Sequence, residues 1–286
     1  MLSDLRELYK YRDLVAQLVI RDLKVRYKNS VLGFFWSLIN PLVQVAIITI
    51  VIKVLLLVRI PNYSAYLLAA FLPWMFFQMS LLDASDSVLK HHDLLKKVYF
   101  PREALPVSLV ISNLIHLILA FIVFFIYLVT IPRAPIYSTA LLLPVLMAIQ
   151  FIFNLGVAFF ISCLNVFYED TKFIVAVGLN ALFYASPVMY VSELAHNALM
   201  HSHRLPAAFK EPLWVLYQIN PLNALLMGYR KILLSPFPEF TLRGAKLSDM
   251  PMNWGYLGIA ALISILLAIV GYRFFNKRKW GFAEML

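Results

Sequence analysis

The first thirty residues carry polar side chains at spacings of three and four, the period of an α-helix with two faces. One face holds Arg6, Lys10, Asp13, Gln17, Arg21, Lys24 and Lys28. The opposite face holds Leu8, Tyr11, Val15, Leu18 and Val19. This pattern predicts an amphipathic helix over residues 1–30 that lies in a membrane interface. Asp22 and Arg26 interrupt the apolar face one turn apart, so we expect the later turns to pack on protein.

Beyond this helix, long uncharged runs alternate with short charged segments. A helix needs about 20 apolar residues to cross a hydrocarbon core of about 30 Å. Runs of that length occupy residues 31–52, 60–82, 104–131, 134–168, 173–192 and 250–272. They predict six membrane-spanning helices in a single transmembrane domain over residues 1–286, with spans one to five in 31–190 and span six in 254–275. The third span is predicted over 104–130, the fourth over 139–165 and the fifth over 173–190.

The segment 191–253 is the longest connection between spans, and it holds a further uncharged stretch at 212–229. Asn220-Pro221 breaks that stretch in the middle. A seventh crossing would move the basic residues of the 276–286 tail outside, against the preference of lysine and arginine for the cytoplasm. We therefore interpret the segment as re-entrant helices at the outer side, whose ends are covered by protein. The predicted fold is an all-α integral membrane protein.

Composition agrees with a membrane location and indicates an orientation. Hydrophobic residues make up 62% of the chain and charged residues 14%, and the mean hydropathy is +0.79. Soluble domains carry about 25% charged residues. Most of the 25 basic residues lie in cytoplasmic segments if both termini are inside. Basic clusters could also suggest nucleic-acid binding, but beside membrane spans they are more typical of topology signals and contact with anionic lipid.

The chain carries few residues that could energise transport or catalyse a reaction. Its uncharged runs hold no Asp or Glu, which disfavours an ion-coupled carrier. No G-x-x-x-x-G-K-[ST] motif is present, so energy from ATP would come from a separate subunit. We predict no catalytic, cofactor or metal site, and we expect the lone Cys163 to pack in the core. Asp83 and Asp86, at i and i+3, leave open a membrane enzyme acting on a polyprenyl-linked substrate.

Aromatic residues make up 15% of the chain, and many lie well inside the spans. Most are expected to pack in the core or face lipid, but some could line a wide passage, because ring faces offer contact area to a sliding sugar chain without a fixed ion pair. Asn113 and His116, one turn apart, could form a polar patch facing a cavity. The candidates for the lining are Trp74, Phe77, Asn113, His116, Phe121, Phe124, Phe125, Phe160 and Tyr184.

Several short motifs occur in order along nearly the whole chain. They are Arg21-Asp22, the run RYKNSVLG at 26–33, Trp36 with Asn40-Pro41, the run KKVYFPRE at 96–103, Tyr168-Glu169-Asp170, and Asn220-Pro221. Together they resemble the permease subunit of ABC-2 type exporters of O-antigen, capsular or teichoic-acid polysaccharides. The pattern R-Y-x-x-S-x-L-G-x-x-W with a following N-P is the most specific of these motifs.

The resemblance implies a homodimer of this chain with two copies of a cytoplasmic ATPase that binds ATP and Mg. The complex would export a lipid-linked glycan across the bacterial cytoplasmic (inner) membrane, in O-antigen and lipopolysaccharide biosynthesis. The helix over 1–30 and a coupling helix at about 88–101 would contact the ATPase through Arg21, Asp22, Arg26, Lys90, His91, Asp93, Leu94, Lys97, Tyr99 and Phe100. Residues 192–218 would match outer gate helices, with Glu193, His196, His201, Trp214 and Asn220 as gate candidates. An ABC-2 exporter of a small lipid or drug is the alternative.

Overall fold

A computed structural model describes residues 2–28, 35–55, 62–91, 100–202, 205–234, 240–242, 245–247 and 249–282. The helices are α1 (Leu2–Lys10), α2 (Arg12–Tyr27), α3 (Phe35–Ile50), α4 (Tyr63–Ser85), α5 (Ala104–Thr130), α6 (Leu143–Phe167), α7 (Thr171–Ala185), α8 (Ser192–Met200), α9 (Ala207–Ile219), α10 (Pro221–Leu233) and α11 (Trp254–Arg278). A π-helical turn, Val51–Leu55, extends α3, and 3₁₀ turns lie at Leu89–His91, Ser138–Leu142 and Lys279–Gly281.

Helix α4 is the centre of the bundle. It packs against α3, α5, α6, α7 and α10, and most of its residues are buried, including Trp74, Phe76 and Phe77. Its sequence is apolar around the whole circumference, which is the pattern of a helix surrounded by other helices. The amides of Gln150 and Asn154 on α6 reach it: Gln150 donates to the Pro73 carbonyl at 2.8 Å. A membrane helix pair gains from such contacts because lipid offers no competing partner.

Helices α6 and α11 approach each other closely at two glycines. A Cβ atom on Gly271 would lie 2.3 Å from the carbonyl oxygen of Gly156, and one on Gly156 would lie 2.6 Å from the backbone nitrogen of Ala268. Small residues allow backbones to meet in this way, which is how helices pack in a membrane without a hydrophobic driving force. Among the described helices, α6 and α11 are consequently the most extensively packed pair.

Among the described residues, four helical segments are long and apolar enough to cross a membrane: Tyr63–Ser85, Ala104–Thr130, Ser138–Phe167 and Trp254–Gly281. They coincide with the predicted second, third, fourth and sixth spans. Two shorter apolar helical segments, Ile39–Val54 and Thr171–Ala185, fall in the predicted first and fifth. The prediction that the helix of the fifth span continues to Tyr190 is wrong. The helix ends at Ala185 because Pro187 disfavours helical backbone at the residue before it.

The described residues of the segment 191–253 form the helices α8, α9 and α10 and two short paired strands. Asn220 ends α9 and caps α10 by accepting a hydrogen bond from the Leu222 amide at 3.0 Å, while Pro221 occupies the first helical position. The predicted break at Asn220-Pro221 is therefore confirmed. Strands Phe240–Leu242 (β1) and Ala245–Leu247 (β2) pair antiparallel. Within the described ranges this pair of strands is the one departure from an otherwise helical fold.

Candidate functional site

Helix α2 presents one charged face and packs with the other. The prediction of one helix over residues 1–30 is wrong, because Tyr11 lies in a turn between α1 and α2. The seven polar residues predicted on one face are nevertheless all exposed: Arg6 and Lys10 on α1, Lys28 just after α2, and the others on α2. Val15, Leu18 and Val19 are buried, and α2 packs against α5. Burying apolar side chains of this size is worth about 1.5–3 kcal/mol each, so the helix is anchored on protein. The expectation that its later turns pack on protein is confirmed.

The same buried residues join the two ends of the predicted coupling segment. Val88 is fully buried and Phe100 is 5% exposed, and both pack in one cluster with the apolar face of α2. We call this cluster the basal core; its members are Val15, Leu18, Val19, Val88, Phe100, Ala104, Leu105, Phe159, Cys163, Val166, Tyr272, Phe275 and Phe282. The basal core therefore fixes where α2 sits relative to both ends of residues 88–101. Residues 92–99, which include the candidates Asp93, Leu94, Lys97 and Tyr99, lie outside the described residues.

An ion-pair node lies where α2 meets the spans. Nη2 of Arg26 donates to Oδ2 of Asp83 on α4 at 2.6 Å, and its Nε donates to Asp22 at 2.9 Å. The amide of Asn113 on α5 donates to the same oxygen of Asp83 at 2.8 Å. Burial by itself lowers the pKa of Arg26, but Asp83 and Asp22 outweigh it and raise the pKa overall. One carboxylate thus connects three helices.

Asp86, one turn after Asp83, connects a different set of elements. Its oxygens lie 3.4 Å from Lys90 and 3.9 Å from Lys172, which opens α7. Asn165 near the end of α6 donates to it at 3.4 Å and accepts from the Lys172 amide at 3.0 Å. Both acids of the i, i+3 pair are therefore engaged with protein cations, which leaves the polyprenyl-substrate interpretation without support. No group of three potential metal ligands occurs among the described residues.

These contacts define what we call the basic end of the bundle. It contains the end of α4, the start of α5, the α6–α7 turn and the end of α11. Glu103 is fully buried there and accepts from Lys279 at 3.2 Å, and Arg102 donates to the Lys279 carbonyl. Of the remaining coupling candidates, Arg21 is exposed, Lys90 is exposed beside Asp86, and a ring nitrogen of His91 lies 2.8 Å from the Ser87 carbonyl.

The candidate passage residues fall into distinct environments. Trp74, Phe77, Phe121 and Phe124 are buried in the larger apolar cluster that surrounds α4. The ring centroids of Trp74 and Phe77 lie 5.7 Å apart. The remaining aromatic candidates are Phe125, half-buried beside Phe124; Phe160, 5.2 Å from Phe274; and Tyr184, 71% exposed on α7. Which of these side chains face a passage stays a prediction.

Asn113 and His116 do face a common space, a cavity of about 150 Å³ between α3, α4 and α5. Its lining includes Arg26 at the node, Asn40 and Pro41 of α3, and Met75 and Met79 of α4. The cavity therefore lies directly beside the ion-pair node, and the expected polar patch facing a cavity is present.

A second charged cluster, at the end opposite the basic end, joins α8, α10 and the residues before α11 within the segment 191–253. Lys231 of α10 donates to Glu193 at 2.8 Å and to Asp249 at 2.6 Å, and the Met250 amide donates to Glu193 at 3.1 Å. Burial by itself raises the pKa of Glu193, but Lys231 and the donated hydrogen bonds outweigh it and lower the pKa. Glu193 is 2% exposed, so this ion pair is shielded from solvent.

Arg230, adjacent to Lys231, is buried in the same region. It donates to the carbonyls of Tyr66 at 3.1 Å, Tyr190 at 3.0 Å and Val188 at 2.6 Å, and its guanidinium lies 4.0 Å from the Tyr66 ring centroid. The planar guanidinium suits this arrangement, since its donors form a rigid fork. Arg230 thereby satisfies carbonyls of the non-helical segment that follows α7.

The remaining gate candidates occupy α8 and α9. His196 lies 4.7 Å from Trp214 between ring centroids, and Trp214 stacks on Tyr217 at 5.3 Å. His201 is exposed at the end of α8, with a ring nitrogen 3.0 Å from the Asn197 carbonyl. The structure therefore brings His196 and Trp214 together and leaves His201 apart.

Sequence reasoning missed several residues that organise these sites. Gln150 and Asn154 stand at i and i+4 in an apolar run, a signal that could have indicated a buried polar face. Arg230 and Lys231 lie within a stretch rich in apolar residues, but their partners are distant in the chain, so no local pattern identifies them.

Comparison with known proteins extends over almost the whole chain. The model of a family described as "ABC-2 type transporter" matches residues 13–202. Two proteins of Klebsiella pneumoniae named O-antigen export system permease protein RfbA are each 30% identical over 274 residues, with 96% of this chain and 95% of the relative covered. A Myxococcus xanthus protein of the same name is 29% identical over 286 residues, with both chains fully covered.

Proposed function

Since the chain belongs to the ABC-2 type transporter family, we propose that it is the permease subunit that forms the channel of an ATP-driven exporter of a lipid-linked polysaccharide. The observation that carries this proposal is similarity to named O-antigen export permeases over 95% or more of both chains. Membership in this family makes the chain a transport component rather than an enzyme. It is a membrane protein with several apolar helices that could span a bilayer.

In the proposed topology α3 and α7 complete six spans, and both termini lie in the cytoplasm at the basic end. Two observations support it. The exposed cations of α2 and those of the α11 end lie on the same side of the bundle, as expected of a cytoplasmic surface. Helix α7 has 15 residues, about 22 Å at 1.5 Å per residue, so the following loop would complete the crossing, with its carbonyls satisfied by Arg230.

Two copies of the chain would enclose the passage, and two ATPase subunits holding ATP and Mg would bind the basic end. Helix α7 supports a second copy, because Phe173, Ile174 and Val177 are each more than 60% exposed on this chain. Helices α8 and α9 would act as the re-entrant outer gate. They would move on α10, which Arg230 joins to α4 through the Tyr66 carbonyl and which Lys231 joins to α8 through Glu193.

The ATPase would bind the exposed face of α2 together with residues 88–101. Closure of the ATPase pair around ATP would move these elements as one unit, because the basal core joins α2 to Val88 and Phe100. The chain then supplies the path and the motion at its basic end, while the partner supplies the energy.

The test is co-purification with the ATPase and export of a lipid-linked glycan in vesicles. Arg21→Glu with Lys24→Glu reverses two exposed charges on α2, and we expect at least a tenfold loss of ATPase bound, equivalent to about 1.4 kcal/mol. Arg133→Glu, which reverses a single exposed charge at the opposite end, is the control, and it is compared with Arg21→Glu alone as well as with the double variant. Equal ATPase binding by the control and the α2 variants would contradict the coupling surface. Absence of glycan export by an intact wild-type complex would contradict the proposed cargo.

A further inference from the structure

The node around Asp83 has a geometry that neither the family match nor the ATPase-binding surface explains. A single oxygen, Oδ2, accepts one hydrogen bond from Arg26 of the interfacial helix α2 and another from Asn113 of the span α5. Asp83 itself belongs to the central helix α4. A displacement of Arg26 therefore acts on α4 directly and on α5 through the shared oxygen.

The contacts of the node are strong enough to transmit a displacement of α2 to α4. Charge-assisted hydrogen bonds are shorter and stronger than neutral ones, and the Arg26–Asp83 contact at 2.6 Å is partly screened from solvent, with the side chains 24% and 31% exposed. Asp22, one turn earlier on α2, holds the other side of the guanidinium at 2.9 Å. The cation is thus fixed to its own helix and moves when that helix moves.

The cavity beside the node provides room for such a movement. Packed interiors resist deformation because they contain few voids, yet about 150 Å³ lies open between α3, α4 and α5 next to Arg26. Two methionines of α4, Met75 and Met79, line it, and methionine side chains adapt readily to changes of shape. The cavity thus gives the side chains of α4 and α5 that face α3 space in which to rearrange.

We propose that Asp83 is a positioning residue that acts through Arg26 to transmit movement of α2 to α4 and α5, and so couples ATP binding to opening of the passage. This inference rests on the proposed function. We call the contacts of Asp83 with Arg26 and Asn113 the joint, because movement of α2 would be transmitted through them to α4 and α5. Two sites coupled in this way require a physical element that both can bias.

The experiment compares Asp83→Asn with Asp86→Asn in the complete complex with its ATPase. Both variants remove one carboxylate charge from the end of α4, but Asp86 contacts the α6–α7 turn rather than α2. Spin labels on α3 at Ile47 and on α5 at Ile118, both exposed, report the shift of α5 in a Cys163→Ala background. We expect ATP to change this distance in the parent and in Asp86→Asn, and to leave it unchanged in Asp83→Asn.

Export provides the second readout. We expect Asp83→Asn to retain ATPase activity within about twofold while glycan exported per ATP falls about tenfold or more, in the range of typical coupling energies. Arg26→Gln should give the same loss, and the double variant should be no worse than either single one, because all remove one shared contact. Asp83→Glu should restore most of the coupling.

The outcomes distinguish a failure of the proposed joint from a failure of the proposed export function. If the wild-type complex exports no lipid-linked glycan, the proposed function fails, and the spin-label distance still tests the joint. The joint is overturned if ATP leaves the distance unchanged in the parent, or if the change persists in Asp83→Asn and Arg26→Gln. A parallel loss of ATPase activity, assembly and melting temperature in both variants would mean that the node only stabilises the fold, which also overturns the joint.

Discussion

The crossing of α6 and α11 allows a sharp prediction about packing within the membrane. Gly271→Ala adds one methyl group to a site where the new Cβ would lie 2.3 Å from the Gly156 oxygen and 3.2 Å from the Phe160 ring. The nearest atom belongs to the backbone and cannot rotate away, so the helices must separate. We expect the free energy of unfolding to fall.

The magnitude follows from opposing contributions. Overpacking of this kind costs about 1–3 kcal/mol. Separation also strains the neighbouring ring contacts, Phe159 with Tyr272 at 5.4 Å and Phe159 with Phe275 at 5.6 Å, each worth about 0.5–1.5 kcal/mol. Replacing glycine by alanine within a helix returns up to about 1 kcal/mol. The expected net loss is about 2 kcal/mol.

Gly258→Ala is the matched control on the same helix. No heavy atom lies within 4 Å of its added Cβ, so only the gain in helix propensity applies. The assay is thermal unfolding in lipid nanodiscs, followed by the fluorescence of the five tryptophans. Gly271→Ala should unfold several degrees below the wild type, and Gly258→Ala at or slightly above it. Equal or higher stability of Gly271→Ala would refute the backbone contact.

Two further predictions concern the cluster on α10. Arg230→Met removes the side-chain donor to the Val188 and Tyr190 carbonyls, and a second hydrogen bond to the helical Tyr66 carbonyl, and should cost about 3 kcal/mol or more. A melting temperature within a degree of the wild type would contradict this. The lowered pKa of Glu193 means that its ion pair stabilises the fold above the ordinary glutamate value, about 4.3, and that this contribution is lost as the pH falls through the depressed value. Glu193→Gln should therefore flatten the decline of melting temperature on acidification, and an unchanged slope would contradict the assignment.

The spans and the faces of α2 could be predicted from sequence because both follow from local rules. A charged residue is costly at membrane depth, so the uncharged runs locate the helices within a few residues. The exposed face of α2 follows from helical spacing alone. The break at Asn220-Pro221 was also readable, because Pro at the first turn and Asn as cap are both local signals.

The sites depended on contacts that spacing does not encode. Asp83 and Arg26 are 57 residues apart, and Arg230 and Tyr66 are 164 apart. The direction of Trp74 or Phe121 depends on which helices surround α4 and α5, so their burial in the core could not be inferred from aromatic content. The end of α7 at Ala185 could have been predicted, because Pro187 is a local signal for a helix end. The prediction followed the length of the uncharged run instead and placed the end at Tyr190.

The cluster formed by Lys231, Glu193 and Asp249 affects the order in which this region can assemble during synthesis. In the proposed topology the segment holding Lys231 must be translocated during synthesis, after Glu193, which precedes it by 38 residues, and before Asp249, which follows it by 18. Of these two carboxylates, Lys231 can reach Glu193 as soon as α10 has been translocated, and Asp249 only when the residues before α11 have followed. In this topology the complete cluster therefore forms only after α10 and the residues that precede α11 have both been translocated.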